Sequence, residues 1–153
     1  MNIVEALRDP QLLGGLPAFR DLSTWRRWCV FLAAVYGLPL SVLHDVGVSE
    51  ADALAIFTQH TGRAYAPPAG GWSEVVCITG RQSGKTRIAA TIAAYEAMAG
   101  VAQPDGTEIY CLLIAQDARS ALRTLFSYAC SPFDLVPALR QMVPSSAIRS
   151  VRL

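Results

Sequence analysis

Gly80, Gly84, Lys85 and Thr86, within the string "TGRQSGKT" at 79–86, are the residue types that hold a phosphate. A loop that leads from an apolar run into a helix start aims several backbone N–H groups, and the positive end of the helix dipole, at one point in space. Glycine lets the backbone approach an anion closely. A lysine at the helix start reaches the β and γ phosphates, and the Ser or Thr after it ligates Mg²⁺ through its hydroxyl. The expected nucleotide cradle is therefore Gly80, Arg81, Gln82, Ser83, Gly84, Lys85 and Thr86, with ATP as the ligand and Thr86 on Mg²⁺. Lys85 is the only lysine of the chain; every other basic side chain is an arginine. The spacing departs from the usual G-x-x-x-x-G-K-[ST], which would place a glycine at Thr79.

Arg81 has two readings. Phosphoryl transfer needs cationic stabilisation of the charge on the transferred group, which an arginine of the same chain can supply; the alternative is a rim ion pair with a carboxylate. On the first reading Arg81 and Lys85 are the catalytic pair. Ser83 lacks the Gly-x-Ser-x-Gly surroundings of an activated nucleophile, and His44 and His60 read as surface or capping residues.

These residues need elements to position them. Glu74 to Thr79 and Ile109 to Ala115 are short runs that are apolar on successive residues, as expected for strands buried on both faces of a parallel sheet. Between them residues 85–99 are nearly all good helix formers, followed by Gly100 and the turn "QPDG" at 103–106. Strand, helix, strand predicts one βαβ unit with a right-handed crossover. A further helix is expected from Asp117, a good cap, to Tyr128, and beyond Ser131 one short helix with a strand starting near Ile148.

Upstream the spacing is helical. In residues 21–36 Ser23 or Thr24 can cap a helix whose stripe is Trp25, Trp28, Cys29, Leu32 and Val35 or Tyr36; the tryptophans read as core packing. A second helix is expected over 49–59, with Ser49 and Asp52 as a capping box. "AYAPPAGGW", 64–72, concentrates Pro and Gly as a linker does. The expected organisation is a helical segment at 1–64, a Pro/Gly-rich linker at 65–72 and an incomplete P-loop ATPase core at 73–153. The fold class is α/β, a partial P-loop NTPase with parallel strands behind a helical N-terminal segment.

Composition narrows the class. A chain of 153 residues with 52% apolar and 16% charged residues is long enough for one ordinary core. A net charge of +1 gives no general hold on nucleic acid or an anionic membrane. The four cysteines, at 29, 77, 111 and 130, show no metal-ligand spacing, and a reduced, cytoplasmic protein is the simplest reading. Cys77 and Cys111 are expected to act as small hydrophobes inside the strands. The longest apolar stretch, 29–43, is too short for a bilayer span and is broken by Gly37 and Pro39, so no membrane is expected as a partner.

The string "GRQSGKT" resembles the loop of the large terminase subunits of tailed bacteriophages, commonly R-Q-x-G-K-[ST]. "TGR" at 61–63, ahead of the Pro-rich stretch, and "LLIAQDARSALRTLF" at 112–126 are similar to the segments around that loop. The resemblance implies an ATPase that drives double-stranded DNA into a capsid in the bacterial host cytoplasm. It also implies a portal and a small terminase subunit as partners, oligomerisation when complete, and a nuclease domain in the full-length family. Arg81 then matches the arginine that senses or stabilises the γ-phosphate, Lys85 and Thr86 hold phosphate and Mg²⁺, and Gln116 falls in a segment near the nucleotide. The departure is an apolar strand ending in Asp and Glu, which is not found here: Asp117 lies beyond its run. The sequence thus reads as the N-terminal part of a motor ATPase lacking its hydrolytic carboxylates and nuclease. Two alternatives are a small P-loop phosphotransferase and a non-catalytic interaction module with a vestigial loop.

Overall fold

The computed structural model describes residues 1–99 and 110–143. They divide into two compact units: Met1–Arg8 with Pro17–Ile78, and Asp9–Leu16 with the chain from Thr79 onward.

The first unit is helical because its local signals agree. Helix α1, Ile3–Arg8, starts on Asn2, whose side-chain oxygen accepts from the amides of Val4 and Glu5 while Glu5 accepts from the Asn2 amide. That is a reciprocal capping box. The expected helix at 21–36 is divided: a 3-10 turn, Leu22–Trp25, precedes α2, Arg26–Val35. Asp21, rather than Ser23 or Thr24, caps the turn, accepting from the Ser23 amide at 2.9 Å. The Ser23 hydrogen bonds, side chain first, hold the Asp21 carboxyl below its ordinary range. Cys29, Val30, Leu32, Ala33 and Ala34 are the buried face of α2. Trp25 and Trp28 are half-buried, edge-on to Phe19 and Phe31, and the Trp25 indole N–H donates to the Ala18 carbonyl at 2.9 Å. A further 3-10 helix, Leu40–Val46, leads to α3, Glu50–Thr61. Ser49 caps α3, accepting from the Asp52 amide at 3.1 Å, and Gly62 ends it in the left-handed region.

Residues 65–72 lie along the end of α2. The Trp72 amide donates to the Val35 carbonyl at 2.9 Å, and the Tyr65 hydroxyl donates to the Leu38 carbonyl at 2.6 Å. Gly37 and Gly71, both at positive φ, make the approach possible. A Cβ on Gly37 would collide with the Pro68 carbonyl, and one on Gly71 with the Val35 carbonyl.

The expected fold class needs correction. Among the described residues there is no strand, so the partial P-loop NTPase with a parallel βαβ sheet is not formed. Residues 74–79 and 110–115 are non-helical and without ladder partners, and Ile109, like the turn at 103–106 and the strand expected near Ile148, lies outside the described residues. The physical reason is the number of strands. Two short runs cannot satisfy each other's backbone groups on both edges, and a stable sheet needs three or more strands or a cover. Their side chains are consequently open: Val76 is 81%, Ile78 96%, Tyr110 81% and Leu112 82% exposed. Cys77 and Cys111 are exposed too, and are not packed as small hydrophobes within a sheet.

Helices supply the core of the second unit. Helix α4, Lys85–Ala99, buries Ile88, Ala90, Thr91, Ala94 and Tyr95. It packs against a continuous helical segment that begins with Ala118–Ser120, passes through a π-helical stretch, Ala121–Phe126, and continues as α5, Ser127–Leu135. Asp117 caps this segment, accepting from the Ser120 amide at 2.9 Å and the Ser120 hydroxyl at 2.7 Å. Pro137 opens the short α6, Pro137–Arg140. Leu13 and Leu16, from the N-terminal piece of this unit, are buried with Val136 and Leu139 in its core.

Candidate phosphate-binding loop

Residues 81–84 form a tight turn and Lys85 is the first helical residue of α4. Two backbone positions make the turn. Gly84 lies at φ +84°, open to glycine and disfavoured for any L side chain, and Gln82 lies at φ +57°, the one non-glycine residue at positive φ among those described. Left-handed residues alternating with right-handed ones turn successive N–H groups toward one concave side, a geometry that suits anions. The helical ladder starts with the Ile88 amide donating to the Gly84 carbonyl at 3.0 Å. The amides of Lys85, Thr86 and Arg87 precede that bond and have no acceptor within the helix.

Lys85 reaches back across the turn, its ammonium donating to the Gly80 carbonyl at 3.0 Å. This contact closes the loop on itself and leaves the ammonium two further protons. Nothing stands within 4 Å of where a Gly80 Cβ would be, so that glycine faces open space. Arg81, Gln82 and Lys85 are exposed, whereas Ser83, Gly84 and Thr86 are half-buried. Of the seven residues expected at the cradle, Gly80 directly precedes the turn, Arg81, Gln82, Ser83 and Gly84 form it, and Lys85 and Thr86 start the helix. Between residues 75 and 95 the chain carries three cations, Arg81, Lys85 and Arg87, and no carboxylate, so this stretch of sequence is basic.

Other expected residues fall elsewhere. Gln116 is exposed, next to the helix cap formed by Asp117. The Ser120 hydrogen bonds, side chain first, hold the Asp117 carboxyl below its ordinary range, which suits a permanent cap. His44 faces Glu50 at 3.7 Å on the surface of the first unit, and His60 lies in the last turn of α3. Among the described residues no three His, Cys, Asp or Glu side chains gather as a metal site; Thr86, expected on Mg²⁺, is the half-buried second residue of α4.

One feature of the site is absent from any local motif. Arg87, on the first turn of α4, lies over the ring of Tyr128 on α5, 4.2 Å from its centroid. The two residues are far apart in sequence, and only the packing of α4 on α5 joins them.

Comparisons with protein-family models, with curated proteins and with solved structures each find no match. No helix among the described residues is long and apolar enough to cross a membrane.

Proposed function

We propose that residues 80–86 bind the phosphates of ATP together with Mg²⁺, and that the chain is the ATP-binding part of a DNA-packaging motor of the terminase large-subunit type. The observation that carries this reading is the Lys85 ammonium, held at 3.0 Å from the Gly80 carbonyl across the mouth of a turn that opens a 15-residue helix. A parallel sheet behind the loop is no part of it. The amides before Ile88 offer hydrogen bonds to phosphate oxygens, and the helix dipole favours negative charge there. Lys85 and Arg81 neutralise phosphate charge, and the Thr86 hydroxyl offers one ligand to Mg²⁺. The metal, when bound, supplies charge neutralisation between the phosphates.

Because no carboxylate lies between residues 75 and 95, nothing next to the loop in sequence orients an attacking water, and the expected behaviour is nucleotide binding with little turnover. The packaging role rests on the likeness of "GRQSGKT" and its flanks to the terminase loop, and double-stranded DNA, portal and small subunit are its implied partners. Calorimetric titration with MgATP tests the loop, with Lys85→Ala as control. Saturable binding weakened at least tenfold by the substitution supports it, and equal affinities remove the loop from the account.

One observation favours a second reading, an interaction module whose loop no longer binds nucleotide. Val76, Ile78, Leu112 and Ile114 are large apolar side chains that stand mostly exposed. Co-purification with a partner, unaffected by Lys85→Ala and with no response to MgATP, would select that reading.

A further inference from the structure

The cation–π pair between Arg87 and Tyr128 has a role in binding only if the neighbouring turn holds anions, and in this it rests on the phosphate-loop reading. Arg87 stands two residues after Lys85, within the first turn of α4, and both it and Tyr128 are half-buried. A cation on the helix turn that opens at the loop acts on an anion there when it lies within a Debye length, about 10 Å at moderate salt, and partial burial reduces the screening. What matters is whether a carboxylate cancels it. The helix neighbours three and four positions from Arg87 are Ser83, Gly84, Ala90 and Thr91, none of them acidic. The partner at 4.2 Å is a neutral aromatic face. A ring attracts a guanidinium through its quadrupole and fixes its place without removing its charge.

The route by which Tyr128 arrives there is also unusual. The helical segment leading to it passes through six π-helical residues, Ala121–Phe126, directly before Ser127–Leu135. A π stretch carries more residues per turn than an α-helix and rotates everything after it about the axis.

We propose that Tyr128 is a positioning residue of the phosphate loop, holding the Arg87 cation on the first turn of α4 so that it adds to the attraction for a polyphosphate. The effect runs through Arg87, and Tyr128 itself touches no ligand. It predicts a distinction that simple packing would not give. Tyr128→Phe keeps the ring face and keeps affinity. Tyr128→Leu keeps an apolar filler but releases the cation, and loses affinity.

The test is titration of a fluorescent ATP analogue with Mg²⁺ into wild type, Tyr128→Phe, Tyr128→Leu, Arg87→Gln and Lys85→Ala, at about 50 mM and about 500 mM salt, with melting temperatures measured in parallel. Expected at low salt are a Tyr128→Phe affinity within about twofold of wild type, and losses of about three- to tenfold for Tyr128→Leu and Arg87→Gln. At high salt both losses shrink, because they are electrostatic. Wild-type affinity in Tyr128→Leu, or a loss that high salt leaves unchanged, overturns the proposal alone. Absence of binding by the wild type overturns the loop reading and this proposal together.

Discussion

Gly84 holds φ +84° immediately before the residue whose ammonium spans the loop, a conformation in which a Cβ crowds the following carbonyl. Gly84→Ala is expected to destabilise the second unit by about 1–2 kcal/mol and to abolish binding of MgATP, checked by urea unfolding and titration of the same sample. Gln82 adopts a similar conformation with a side chain attached, and no pattern in the sequence marks that position. The cysteines divide by environment. Cys29 is buried, and burial pushes its thiol up to about 11, whereas Cys77 and Cys111 are exposed. A thiol reagent at neutral pH is expected to label Cys77 and Cys111 quickly and Cys29 only after unfolding. Because the folded state keeps the Cys29 proton longer, its contribution to stability is full below pH 9 and declines as pH rises from 9 toward 11. Unfolding midpoints across that window check the sign.

At the scale of elements, Ser49→Ala should cost about 1 kcal/mol, read as a lower urea midpoint, because it removes the acceptor for the Asp52 amide at the start of α3. The legible part of the fold lies in such places. Ser49, Gly62, the run from Lys85 to Ala99 and the Asp117 cap all act within one turn of themselves, so spacing alone reveals them. The capping box of Asn2 and Glu5 is equally local, and its three-residue spacing is the signal that finds it. The runs at 74–79 and 109–115 mislead for a different reason. Successive apolar residues are required of a buried strand, but they do not create the partners that bury it, and partners are non-local. Since Val76 and Leu112 are over four-fifths exposed, Val76→Thr and Leu112→Lys are expected to leave the unfolding midpoint within about 0.5 kcal/mol of wild type. Both should lower binding of a hydrophobic dye, and a large loss of stability would show these residues to be buried.

For the whole molecule, the division of the chain into units does not follow sequence order. Asp9–Leu16 interrupts the first unit and belongs with the residues from Thr79 onward. Leu13 is fully buried there, and a Cβ on Gly15 would collide with the Pro10 carbonyl. Leu13→Ala is expected to cost about 2–5 kcal/mol and to raise amide exchange in α5, far along the chain, more than in α3. The pairing of Arg87 with Tyr128 is hidden from the sequence by the same kind of distance. The turn and helix start are readable, since Gly80 through Thr86 are consecutive and need no distant residue to come together. The central claim, that this turn grips a triphosphate through Lys85, has a direct probe because the chain contains a single lysine. Lysine labelled with ¹³C and ¹⁵N gives one side-chain NMR signal, which should move in a saturable way when MgATP is added and stay in place with MgCl₂ alone. A lysine signal unmoved by MgATP at millimolar concentration would contradict the account.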